Sequence, residues 1–134
     1  MADRLAGRYP DLVSKLPEQD IEALRAVAQN VVEECYARLS PEARDILADE
    51  GFTPDHSPES HDPDLLDAAY LDALKADKGS GAIDLFTASR MSAAVRYAAE
   101  ATTASDLHEA IFEALIAANT TPDKVPSLAR LLNG

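Results

Sequence analysis

The chain has 134 residues, 24 acidic against 12 basic, and a formal net charge of -12. That balance argues against direct binding to a nucleic-acid backbone, which needs clustered Lys and Arg. With 46% hydrophobic residues and one cysteine, it can build one core but no internal disulfide or Cys-only zinc site.

The punctuation is regular. Seven of the eight prolines are followed at once by an acid, as in Pro41-Glu42, Pro63-Asp64 and Pro122-Asp123; Pro126 is the exception. A Ser, Thr or Asp precedes five of those pairs, giving a cap oxygen, a residue with no N–H to strand, and a carboxylate at the positive end of the helix dipole. Ser40, Asp62 and Thr121 are therefore expected helix starts, while Thr53 and Ser57 read as turns.

In chain order, a short N-terminal segment (Leu5, Tyr9, Leu12, Val13, Leu16) reads as packing helix. Ile21, Leu24, Ala28, Val31, Cys35 and Leu39 then recur at steps of three and four, predicting an amphipathic helix over 18–39. A helix over 41–50 stops at Gly51, with Phe52 placed to fold back on its last turn. Helices over 63–77, 82–101 and 106–118 follow, and Val125, Leu128, Leu131 and Leu132 mark a shorter one at the end. Period-two alternation is nearly absent. The expected fold is all-α: one domain over 1–134, a compact bundle of about five to seven helices.

The 82–101 helix is the expected centre. Its polar arc is Ser89, Ser92, Arg96 and Glu100; its alanines admit close neighbours, and Phe86, Met91 and Tyr97 fill the gaps. Asp84 and Arg90 interrupt the apolar remainder, and a charge placed there needs a partner. His108, in the first turn of the next helix, could meet them if the two helices are antiparallel. One reading is a ligand or catalytic site in a polar core; the other is a structural ion pair and a hydrogen-bonded histidine. No nucleophile motif accompanies them, and Cys35 reads as a small core hydrophobe. The balance falls against an enzyme.

Residues 51–62 form the longest connection. His56 and His61 among its acids suggest zinc only weakly, and an EF-hand reading fails because Ser60 stands where glycine is required. No metal and no cofactor is expected.

One feature exceeds composition. Between Asp45 and Leu74 lie nine acids and no Lys or Arg, so this tract carries -9 of the net -12. Such segregated charge attracts a cationic surface and speeds encounter with it. The expected function is a small acidic protein-binding protein of the inhibitor, immunity, anti-CRISPR or antitoxin type. Its face over 45–74 would occupy a basic surface of a nuclease or other nucleic-acid-handling protein. Asp49, Glu50, Asp55, Glu59, Asp62 and Asp64 are the candidate contacts, with Phe52 as the apolar anchor. The alternatives are the polar-core site at Asp84, Arg90 and His108, and a helical domain whose acids only solvate it. The longest stretch without charge is nine residues, Ala114 to Pro122, and the first residues lack the apolar run of a signal peptide, so the expected setting is cytoplasmic.

Overall fold

The computed structural model describes residues 4–54, 65–76 and 80–133. Its elements are α1 (Arg4–Arg8), α2 (Pro10–Val13), α3 (Ile21–Tyr36), α4 (Pro41–Asp49), α5 (Leu65–Lys75), α6 (Ser80–Glu100), α7 (Ala104–Ala118) and α8 (Pro126–Asn133). A 3-10 turn over Pro122–Lys124 precedes α8. The fold is an all-α, single-domain bundle with α6 at its centre, packed against α3, α4, α5 and α7.

Local chemistry explains the boundaries. Ser40 caps α4, its hydroxyl accepting from the Ala43 N–H at 3.2 Å, with Pro41 in the first turn. The α4 exit follows the expected glycine pattern: Gly51 takes φ 86°, and the Phe52 N–H reaches back to the Leu47 carbonyl at 2.9 Å. Helix α3 begins later than residue 18, because the Asp20 carboxylate supplies the cap, accepting from the Ala23 N–H at 3.2 Å. It also ends earlier, at Tyr36; the Leu39 N–H closes a tighter turn on the Tyr36 carbonyl and carries Leu39 into the core. Capped by Thr103, α7 begins at Ala104, two residues before the expected start. Thr121 departs from expectation: it precedes the 3-10 turn, and its hydroxyl bonds the Asp123 carboxylate, holding that exposed acid below its ordinary range. Asp62 lies outside the described residues.

The core runs from Leu5 and Leu12 through Leu24, Val31 and Cys35 of α3 to Met91 and Ala94 of α6 and Ile111 and Leu115 of α7, closing on Leu128. Three residues join α6 to α7, so the two lie antiparallel. Side-chain hydrogen bonds fasten the seams. The Arg25 guanidinium donates to the Ala98, Ala99 and Ala101 carbonyls, satisfying the end of α6 from α3. The Glu34 carboxylate accepts from the N–H and the hydroxyl of Ser127 at the start of α8. Pro126, the one proline without its own following acid, thus receives a carboxylate from α3.

Two expectations for α6 are overturned. Ser89 and Ser92, assigned to its polar arc, are buried, the Ser92 hydroxyl donating to the Ser89 carbonyl at 2.7 Å. Phe86 and Tyr97, assigned as core filling, are exposed instead, whereas Met91 is buried as expected.

Candidate functional site

Asp84, Arg90 and His108 each engage a different partner. Arg90 Nη1 lies 3.2 Å from Glu113 Oε2 across the α6–α7 seam, and its guanidinium stands 5.9 Å from the centre of the Phe86 ring. The Asp84 carboxylate accepts from the Ser40 hydroxyl at 3.3 Å, tying the start of α4 to α6. His108 Nε2 faces Glu18 Oε1 at 3.4 Å, in the turn before α3. Helix geometry explains the separation: residues six apart, such as 84 and 90, point about 120° away from each other. The trio holds three seams of the bundle.

Glu113 is the residue the sequence did not disclose. It is buried on an otherwise apolar face of α7. The available signal was a lone acid at helical spacing among Ala110, Ala114 and Ala117, on the helix expected to pair with Arg90.

The acidic tract is described at its two ends. Asp45 and Asp49 are exposed on α4, Glu50 is half-buried at its exit, and Asp72 is exposed on α5. Asp55, Glu59, Asp62 and Asp64, with His56 and His61, lie outside the described residues. Among the described residues no group of acids, histidines and cysteine is placed to hold a metal ion, and no helix is long and apolar enough to cross a membrane. Phe52 does not serve as a surface anchor. It is fully buried, its carbonyl accepting from the Tyr36 hydroxyl at 3.0 Å and the Arg96 guanidinium 5.7 Å from its ring centre. The turn at Gly51 that brings Phe52 back over α4 consumes it in the core.

A different apolar surface is present. Among the described residues the exposed large hydrophobics are Leu71 (54%), Leu74 (50%), Ile83 (66%), Phe86 (36%) and Tyr97 (37%), and all belong to α5 and α6. These two helices pack together, with the Tyr70 and Phe86 rings 5.4 Å apart at a tilted angle. Asp72 stands on the same exposed helix as Leu71 and Leu74.

Two clefts flank α1 and α2. The first, about 390 Å³, opens between Arg8 and Tyr9 and the α6–α7 pair; the second, about 360 Å³, lies between α2 and the segment entering α8. No known protein family, curated protein or solved structure matches the chain.

Proposed function

We propose that this is a protein-binding protein whose contact surface is the apolar face of α5 and α6, with the acids of the 45–74 tract supplying the steering charge. The partner is a basic protein, of the kind that handles nucleic acid, and binding would block its cationic surface. The observation that carries the reading is the gathering of the exposed large hydrophobics onto α5 and α6, the first of which belongs to the acidic tract. Exposed apolar side chains on a packed helix pair together with a segregated acidic tract have the composition of an interface, in which apolar groups give affinity and charge steers encounter. A solvating role alone accounts for the acids and leaves Leu71, Leu74 and Ile83 without a reason to face water. The polar-core alternative draws less support, since the contacts shown for Asp84, Arg90 and His108 run to Ser40, Glu113 and Glu18 respectively.

Affinity capture from host lysate at low and high salt, with mass spectrometry of the eluate, tests this. A basic protein should be retained by the wild type. Leu71→Ser combined with Ile83→Ser should release it at every salt concentration, because the apolar centre sets the dissociation rate. Asp45→Lys, Asp49→Lys and Asp72→Lys together should slow association and flatten its salt dependence, because rim charges act over a Debye length of about 10 Å at 0.1 M. Capture of no basic protein, or equal capture by both variants, rules the proposal out.

A further inference from the structure

We infer that the cleft between α1 and the α6–α7 pair is a binding site for a small aromatic carboxylate. The site is separate from the contact surface proposed above and shares only Phe86 with it.

The cleft's volume of about 390 Å³ falls in the range that encloses small molecules. Its lining concentrates a scarce residue type: Tyr9, Phe86 and Phe112 are three of the chain's seven aromatic side chains (4 Tyr, 3 Phe). Phe112 is nearly enclosed, and Ile116 continues the apolar lining along α7. A flat ring entering this space gains offset and edge-to-face contacts that a saturated ring of equal area does not.

The charge of the lining selects the other half of the ligand. Acids outnumber bases two to one in the chain, yet among the described residues the charged side chain lining this cleft is a cation, Arg8. Its guanidinium stands 5.9 Å from the Tyr9 ring centre, and among the described residues no carboxylate pairs with it. A guanidinium resting on a ring keeps its in-plane N–H donors available, and their fork matches a carboxylate.

Asn119 takes φ 51°, its N–H donates to the Ile116 carbonyl, and the Thr120 N–H donates to the Leu115 carbonyl, both at 3.1 Å. Two of the four terminal carbonyls of α7 are thus engaged, which lessens the negative end of the helix that faces the cleft and leaves the Arg8 guanidinium to attract the carboxylate. The neighbouring cleft shares Arg8 and Tyr9 but also presents Asp11 and Asp123, which disfavour an anion.

The test is a titration of the full chain followed by NMR at the Ile116 methyls and the Phe112 ring, with three probes of similar size. Phenylacetate should give saturable shifts by about 1 mM, within reach of a ligand with so few heavy atoms. Phenethylamine, a cation at neutral pH, should give none, and cyclohexylacetate should bind more weakly than phenylacetate. Arg8→Gln should weaken phenylacetate about tenfold, by loss of a charge-assisted pair, while Arg38→Gln in the exposed turn after α3 should not. Because Arg8 is exposed, its replacement leaves the fold intact, which the spectrum itself verifies. No response to phenylacetate, an equal response to phenethylamine or cyclohexylacetate, or undiminished binding in Arg8→Gln overturns the assignment.

Discussion

Burial pushes the Cys35 thiol up to about 12 from an ordinary 9.0, and the neighbouring Glu34 charge adds to the effect while Arg38 opposes it. The folded state therefore favours the protonated thiol. The stability this contributes is present in full below about pH 9 and is lost as pH rises toward 12, because the unfolded chain then binds fewer protons than the folded one. Thermal melts across that window should fall more gently for Cys35→Ala than for wild type. A residual slope should remain, because burial raises Tyr36 in the same direction. The native thiol should also resist alkylation at neutral pH and react only on unfolding. One residue away, Glu34 has the opposite surroundings: it is half-buried, and both its oxygens are engaged by Ser127. Glu34→Ala leaves the start of α8 without a carboxylate and should cost about 1–3 kcal/mol in urea denaturation.

Between elements, the seam of α6 and α7 concentrates the polar risk of the fold. Arg90→Met alone removes the cation that faces the buried Glu113 carboxylate and should destabilise by about 3–5 kcal/mol. Arg90→Met with Glu113→Leu removes both charges and should recover most of that loss. A double variant no better than the worse single one would show that the two side chains act independently. At this scale the sequence was most readable where capping chemistry is local. Ser40, the Gly51 exit and the apolar period of α3 all lie within a few residues of the feature they announce. It was least readable where the partner is remote. The Arg25 cap on α6 and the Glu34 cap on α8 span 73 and 93 residues, and no local pattern signals them. The orientation of α6 was misread for a further reason. A helical serine can satisfy its hydroxyl on its own backbone, as Ser92 does on Ser89, so burying it costs little and it is a poor marker of the solvent side. An antiparallel α6–α7 pair does not by itself bring Asp84, Arg90 and His108 together, because 84 and 90 face different neighbours, and the turn that caps α4 removes Phe52 from the surface.

The whole molecule carries a net charge of -12, of which -9 falls within residues 45–74. Like charges held together raise the free energy of the compact state, and added salt screens them. The melting temperature should therefore rise as sodium chloride goes from about 10 mM to about 150 mM, over which the Debye length shrinks from about 30 Å to about 8 Å. In Asp45→Lys/Asp49→Lys/Asp72→Lys the rise should be smaller. An equal rise in both would place the repulsion elsewhere on the surface.

The long-range tie between Glu34 and Ser127 also has a consequence in time. The α6–α7 hairpin closes over a three-residue link, whereas α8 gains its cap only after α3 is in place, 93 residues back along the chain. A second tie, from the Lys15 ammonium to the Leu132 carbonyl at 3.0 Å, spans 117 residues. Loop closure of this length delays α8 behind the local hairpin during folding, and the exposed Lys15 contact gives it little to resist early release. The last helix of the chain is thus the clasp of the bundle: the final element to engage, and the first whose amides should exchange with deuterium while the α6–α7 pair stays closed.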